Sequence, residues 1–153
     1  MKIVSGEPYL EEIRALIVEY TQSLGRDLTF QNLSAELADL STKYVPPHGR
    51  LLAALSDDGA VVGCVAFCRH SAQRCEMKRL YVRPACRGQG IGQRLIEQII
   101  AAARQEGYAE MVLDTLLPMQ SAIRLYRSFG FQEIPPYYNN PMPDVLYLRL
   151  ALS

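Results

Sequence analysis

The chain has 153 residues, of which 49% are hydrophobic, and this is enough apolar sequence for the core of one compact domain. Its 16 lysines and arginines balance 16 aspartates and glutamates, so no basic surplus indicates a nucleic-acid or membrane partner. We therefore predict a single domain over residues 1–153, with no nucleic-acid partner and no membrane partner.

The N-terminus enters polar, amphipathic sequence directly, without the apolar run of a signal peptide or membrane span. This predicts a cytoplasmic location. The four cysteines form no Cys-x-x-Cys pair, and the two histidines, His48 and His70, stand in contexts unrelated to them. We predict reduced structural cysteines, no cysteine nucleophile and no metal site. The cysteines are Cys64, Cys68, Cys75 and Cys86.

The first half of the chain predicts a short strand followed by two helices. Apolar residues recur at helical spacing over 10–24, and Gly25 follows as a stop signal. A shorter leucine repeat over 33–40 predicts a second helix before Pro46-Pro47. The acidic pair Glu36 and Asp39 is interpreted as a solvated helix face.

Three antiparallel strands follow, and a crossover comes after them. Residues 50–56 and 60–69 predict a hairpin around Asp57-Asp58-Gly59, and residues 75–82 predict the next strand. A glycine loop, a long helix from residue 91 and a strand over 110–115 then make a strand–helix–strand unit, which implies parallel pairing with a right-handed crossover.

A short helix that ends at Gly130 and a last strand over 145–152 complete the chain. The predicted fold is a mixed α/β domain. Its central sheet is mostly antiparallel and contains one β-α-β crossover, with helices on both faces.

The glycine loop leaves a predicted strand and opens a predicted helix. Gly88, Gly90 and Gly92 let the backbone approach a ligand closely, and the first amides of a helix form an anion site that suits a pyrophosphate. A nucleoside triphosphate loop requires Gly-Lys-Ser/Thr at its end, whereas Gly92 is followed by Gln93-Arg94. A dinucleotide fold requires Gly-x-Gly-x-x-Gly in its first crossover, whereas this loop has Gly-x-Gly-x-Gly and follows an antiparallel meander. A helix start without a ligand is disfavoured because three glycines destabilise the helix.

Two motifs resemble those of the GNAT acetyltransferases. Arg87-x-x-Gly90-x-Gly92 is similar to the family signature Arg/Gln-x-x-Gly-x-Gly/Ala, and the helix at Leu125-Tyr126 that ends in Gly130-Phe131 resembles the second hallmark, in the right order. The chain departs from many members at Met119, where an asparagine that contacts the coenzyme is common.

The resemblance implies a GNAT-like fold, acetyl-coenzyme A as the cosubstrate and no metal. It implies that the strand before the loop bonds pantetheine through its backbone and that the loop amides hold the pyrophosphate. The residues implied in coenzyme binding are Leu80, Tyr81, Val82, Arg87, Gly88, Gln89, Gly90, Ile91 and Gly92.

The resemblance also implies catalytic roles. Tyr126 aligns with the tyrosine that faces the coenzyme sulfur and would protonate the departing thiolate, unless it is an ordinary core tyrosine. Glu76 stands where many members carry the base that deprotonates the amine, with Asp114 as the alternative base. The competing interpretation of Glu76 is a strand carboxylate paired with a nearby lysine or arginine.

The acceptor pocket is expected beside the first helices and before the last strand. Tyr137, Tyr138 and Asn139 are predicted to form its wall, while Phe30 and Tyr44 are interpreted as packing residues. The predicted function is acetyl-coenzyme-A-dependent transfer to a primary amine of a small molecule or protein. The alternative is a non-catalytic acyl-coenzyme-A-binding or regulatory module, and an uncovered edge at residues 145–148 suggests a homodimer.

Overall fold

The secondary structure follows the predicted order. A computed structural model describes residues 1–26 and 33–153, and the positions named from here on lie in those two stretches unless stated otherwise. The helices there are α1 (Leu10–Leu24), α2 (Leu33–Ala38), α3 (Ser41–Tyr44), α4 (Ile91–Gln105) and α5 (Gln120–Ser128). The strands are β1 (Lys2–Ser5), β2 (Gly49–Leu55), β3 (Val61–Arg69), β4 (Arg74–Val82), β5 (Glu110–Leu116), β6 (Gln132–Glu133) and β7 (Val145–Ala151).

These strands form one sheet in the order β1-β2-β3-β4-β5-β7-β6. Every neighbouring pair is antiparallel except β4 and β5, which run parallel and are joined by α4. This confirms the predicted mixed sheet and its crossover, because a parallel pair requires a connection that returns over the face of the sheet.

Helices cover both faces of the sheet. The apolar side of α4 buries Leu95, Ile96 and Ile99 against one face, in a core shared with Tyr126 of α5. Helix α1 buries its own apolar side against the other face, where Tyr44 of α3 is also fully buried. The packing interpretation of Tyr44 is therefore confirmed, whereas Phe30 lies outside the described residues.

The first helix ends as predicted, but the second prediction was wrong in detail. Gly25 closes α1 in the left-handed conformation with φ of 63°, which a glycine adopts without steric cost. The predicted helix over 33–40 is instead two short helices, α2 and α3. In the connection between them, the Asp39 carboxylate accepts a hydrogen bond from the Ser41 amide at 3.0 Å, a local contact that competes with continued helix.

The edge expected to be free over residues 145–148 is covered only in part, and the homodimer stays a prediction. Strand β7 lies between β5 and β6, and Gln132 and Glu133 of β6 pair with Arg149 and Leu148. This pairing covers part of the strand proposed for dimer contact. No helix in the described parts of the chain is both long enough and apolar enough to cross a membrane.

Candidate active site

The centre of the sheet opens where β4 and β5 separate. The two strands pair only from Arg74↔Glu110 to Glu76↔Val112. Beyond that point each continues along its other neighbour, β4 as far as Val82 and β5 as far as Leu116. The parallel pair therefore diverges into a V-shaped gap that leaves one edge of each strand available to a ligand.

Strand β4 carries a distortion on the side of this gap. Arg79 has a φ of 63°, a left-handed conformation that is uncommon for a residue with a side chain, and the register with β3 shifts between Cys64 and Ala66. The sequence analysis did not predict this bulge. The bulge lies between Glu76, the last residue of β4 that pairs with β5, and Val82 at the end of the strand.

A buried ion pair holds the bulged residue. The Arg79 guanidinium donates to both Glu36 carboxylate oxygens, with Nε 2.8 Å and Nη2 3.1 Å away, and Lys43 Nζ lies 3.2 Å from the same carboxylate. Glu36 is only 4% exposed, so the prediction of a solvated helix face was wrong for this residue. The carboxylate connects α2 to the bulge.

A cavity lies in the gap. The residues that line it include Leu80, Asp114 and Tyr126, and also Met119 and Asn140. The sequence analysis named the first three as coenzyme-binding or catalytic candidates, and they meet here from three different elements. Met119 also lines the cavity, so an apolar thioether occupies the place of the asparagine that many relatives have.

The glycine loop prepares the N-terminus of α4 for a ligand. Gly88 and Gly90 have φ of 81° and 77°, and a Cβ at either position would meet no atom within 4 Å. The backbone conformation therefore requires glycine there, and the space beside it is open. Within the described residues the amides of 88–93 have no hydrogen-bond acceptor, so they can bind an anion.

Arg87 folds back onto the strand that precedes the loop. Its Nε donates to the Val82 carbonyl at 2.9 Å, and its guanidinium carbon lies 5.5 Å from the centre of the Tyr81 ring. The Tyr81 hydroxyl donates to Glu19 at 2.8 Å. Two predicted coenzyme-binding residues, Arg87 and Tyr81, thus stabilise the loop through side-chain contacts.

Glu76 is the last residue of β4 that pairs with β5, and it is 6% exposed. One carboxylate oxygen accepts a hydrogen bond from the Tyr137 hydroxyl at 2.6 Å, and the other lies 3.1 Å from His70 Nε2 and 3.9 Å from Lys78 Nζ. Burial alone would raise the pKa of Glu76, but these partners outweigh it and lower the pKa to about 2.

Asp114 is the second carboxylate of the site. It accepts hydrogen bonds from the Tyr138 hydroxyl and, at 3.3 Å, from Asn140 Nδ2. Asn140 Nδ2 also lies 2.8 Å from the Tyr138 hydroxyl. Asn139, which the sequence places in the acceptor wall, is exposed and takes no part in this network among the described residues, so its role stays a prediction.

Two adjacent tyrosines thus contact the two carboxylates. The ring of Tyr147 packs nearly perpendicular to both, 5.2 Å from Tyr137 and 5.8 Å from Tyr138. These contacts bring the loop before β7 against Glu76 and Asp114, and the acceptor-wall role of Tyr137 and Tyr138 stays a prediction.

Tyr126 is 8% exposed and packs its ring against Phe131 at 5.9 Å. Burial raises the pKa of its hydroxyl, so the phenol stays protonated at neutral pH. The residue belongs to the core and lines the cavity at the same time. The two interpretations given by the sequence are thus compatible.

The prediction that His70 stands apart from the cysteines was wrong. Cys68 Sγ, His70 Nε2 and a Glu76 carboxylate oxygen lie within 4.8 Å of one another. The hairpin between β3 and β4 brings them together, and no sequence spacing indicates such a cluster. Burial raises the pKa of the Cys68 thiol to about 11, with a further contribution from Glu76, so this thiol is a poor nucleophile at neutral pH.

Comparisons with known proteins agree with this geometry. The model of the acetyltransferase (GNAT) family matches residues 10–131. An uncharacterised N-acetyltransferase of Schizosaccharomyces pombe is 49% identical over 145 residues, which cover 94% of this chain and 89% of that protein.

Solved structures share the whole fold. A putative acyl-CoA N-acyltransferase of Klebsiella pneumoniae has a TM-score of 0.79 at 29% identity, over 99% of this chain and 97% of its own. A GNAT superfamily phosphinothricin acetyltransferase of Sinorhizobium meliloti, solved in complex with acetyl-CoA, has a TM-score of 0.76 at 19% identity, over 98% and 87%. This chain therefore belongs to the acetyltransferase (GNAT) family and is an N-acetyltransferase.

Proposed function

We propose that the protein transfers the acetyl group of acetyl-coenzyme A to a primary amine of a small molecule or protein. The observation that carries this proposal is the gap between β4 and β5, whose cavity contains Tyr126 and Asp114. The gap offers strand edges to an extended ligand, and β4 leads on to the glycine loop with its unsatisfied amides.

The residues of this chain fit acetyl-coenzyme A. The amides of 88–93 would hold the pyrophosphate, where Gly88 and Gly90 leave open space, and the backbone of Leu80 to Val82 would bond pantetheine. The bound cosubstrate would supply an activated acetyl thioester. A structural relative of the same fold was solved with acetyl-CoA, which supports this choice.

Tyr126 and Glu76 are the proposed acid and base. The raised pKa of Tyr126 keeps a proton available for a departing thiolate at the cavity wall. Glu76 is ionised at neutral pH, as a base must be, although a pKa of about 2 makes it a weak one. Asp114 competes for this role because it is one of the residues that line the cavity.

The proposed acceptor site lies beside Tyr137, Tyr138 and Asn140. Aromatic rings suit the apolar stem or the ammonium group of an amine, and the amide beside Asp114 can orient a polar group. The hydrogen bonds from the two tyrosines to Glu76 and Asp114 support an acceptor site beside both candidate bases.

The experiment is a screen of small amines and lysine peptides for release of free coenzyme A thiol. With the best acceptor, Glu76→Gln is expected to lower kcat/KM by roughly 100-fold or more, as loss of a general base does, and Asp114→Asn by much less. Tyr126→Phe is expected to lower kcat mainly. The opposite ranking of the two carboxylate variants would assign the base to Asp114, and full activity in all three variants would contradict the mechanism.

A further inference from the structure

A second kind of site lies at the closed end of the gap. Cys68 is near the end of β3, His70 follows that strand, and Glu76 lies opposite Cys68 on β4. One Glu76 oxygen, Oε1, lies 3.8 Å from Cys68 Sγ and 3.1 Å from His70 Nε2. Three side chains of the types that bind zinc thus direct one ligand atom each toward a common point.

The separations suit a tetrahedral ion. With Zn–S of about 2.3 Å and Zn–N or Zn–O of about 2.0–2.2 Å, neighbouring ligand atoms of a tetrahedral site are roughly 3.3–3.6 Å apart. The observed separations of 3.8 Å and 3.1 Å lie within a few tenths of an ångström of that range. The third pair, the Cys68 sulfur and a His70 ring nitrogen, lies within 4.8 Å, so rotation of the exposed His70 side chain would have to close this separation.

The surroundings orient the carboxylate for this role. Tyr137 donates to Oε2 at 2.6 Å, which leaves Oε1 directed at the cysteine and the histidine. Such an outer contact is what orients a carboxylate ligand in metal sites. Cys68 and Glu76 are buried, whereas His70 is exposed and gives an ion a route from solvent.

Nearby positive charges oppose a cation. Lys43 acts electrostatically on the Cys68 thiol, and Lys78 Nζ lies 3.9 Å from Oε1. Arg74 lies over the Tyr137 ring, with its guanidinium carbon 5.8 Å from the ring centre. Lys78 must move back when an ion binds. Removal of the Lys78 charge offers a test. If the three side chains form a cation site, the loss of this charge strengthens zinc binding. If they form only a hydrogen-bond network, the loss creates no affinity for the metal.

We propose that Cys68, His70 and Glu76 bind one Zn²⁺ ion, with water as the fourth ligand, and that the bound ion inhibits acetyl transfer. On binding, the Cys68 thiol releases its proton to solvent and the thiolate bonds to the metal. Inhibition follows because the ion occupies Oε1 of Glu76. This second part rests on the proposed function, whereas zinc binding does not depend on it.

The test is calorimetric titration of the untagged, reduced, full-length protein with zinc sulfate, in the absence of acetyl-coenzyme A. The wild type is expected to bind one equivalent, and Cys68→Ala and His70→Ala are each expected to weaken binding at least about tenfold. Cys64→Ala and His48→Ala are the matched controls and are expected to bind like the wild type. Cys64 is a buried cysteine of the same strand and core, and His48 is an exposed histidine.

Two further measurements sharpen the result. Lys78→Gln is expected to bind zinc roughly tenfold more tightly. Cobalt in place of zinc is expected to give a thiolate-to-metal charge-transfer band in the wild type and none in Cys68→Ala. Because His70 is exposed, His70→Ala keeps the test valid even where the Cys68 variant folds poorly.

The outcomes separate the two parts of the proposal. No zinc binding by folded wild-type protein, or equal binding by His70→Ala, would overturn the site. Binding that depends on Cys68 and His70 supports it. With the site established, zinc is expected to abolish acetyl transfer in the wild type and to spare it in His70→Ala. Full activity of the zinc-loaded wild type would overturn the inhibition and would argue against Glu76 as the base.

Discussion

Glu76 is a buried carboxylate whose contacts lower its pKa. It contacts Tyr137, His70 and Lys78 through its two oxygens, and these partners lower its pKa from 4.5 to about 2. The ionised form is therefore stabilised in the folded state relative to the unfolded chain. This difference makes the free energy of unfolding depend on pH.

The sign of this dependence follows from the lowered pKa. The stabilisation is complete above about pH 4.5 and is lost as pH falls toward about 2, because the unfolded chain takes up the proton first. The upper limit is about 3 kcal/mol. We expect Glu76→Gln to flatten the fall in stability between these pH values, as measured by urea denaturation at several pH values. Equal pH profiles for wild type and variant would contradict the lowered pKa.

The sequence could nominate Glu76 and Tyr126 but not their surroundings. Tyr126 belongs to the second hallmark motif, and the family resemblance implies a base at Glu76, in the strand that leads to the glycine loop. The partners come from elsewhere. Tyr137 is 61 residues away from Glu76 in sequence, and contact between the two depends on how the last loop folds back over the sheet.

At the level of elements, the bulge of β4 shapes the gap. Arg79 adopts a left-handed backbone conformation without being glycine, and its guanidinium is fixed by the buried carboxylate of Glu36 on α2. A buried ion pair contributes little net stability, but removal of one partner leaves an uncompensated charge. This ion pair therefore couples the helix to the bulge.

We expect Glu36→Ala to lower the free energy of unfolding by about 3–5 kcal/mol, because Arg79 would remain buried without its carboxylate partner. The matched control is Glu11→Ala on α1, an exposed helix glutamate, which is expected to change stability by no more than about 0.5 kcal/mol. Urea denaturation measures both. Similar effects of the two substitutions would show that the ion pair does not hold the bulge.

The elements that were predicted correctly have local signals. Helix α4 repeats apolar residues at helical spacing, and α1 ends at a glycine. The bulge has no such signal, because an arginine in the sequence does not indicate a left-handed backbone conformation, whereas a glycine can. Glu36 was misassigned for a related reason: its burial depends on a partner 43 residues away.

At the level of the whole molecule, the order of the strands assembles the site. The parallel pair places the end of β4, the glycine loop and α4 on one side of the gap, with Asp114 of β5 on the other. Motif order and element order sufficed to predict this framework. The hydrogen bonds of Tyr137 and Tyr138 with the two carboxylates could not be predicted in the same way, because their loop has no periodic pattern and its partners are distant in sequence.

We propose that the glycine loop binds the pyrophosphate of acetyl-coenzyme A. Calorimetric titration of the protein with that compound measures this binding. The matched pair of variants is Gly90→Glu and Gly59→Glu, since the two glycines have φ of 77° and 86° and open space at Cβ. Both substitutions add the same charge and similar backbone strain, but only Gly90 lies in the loop.

We expect the wild type and Gly59→Glu to bind acetyl-coenzyme A with similar affinity. Gly90→Glu is expected to lose at least about 100-fold in affinity, because its carboxylate would stand where the phosphates bind and repel them. Equal affinity of the Gly90 variant and the wild type, or no binding by the folded wild type, would contradict binding of the pyrophosphate by the glycine loop.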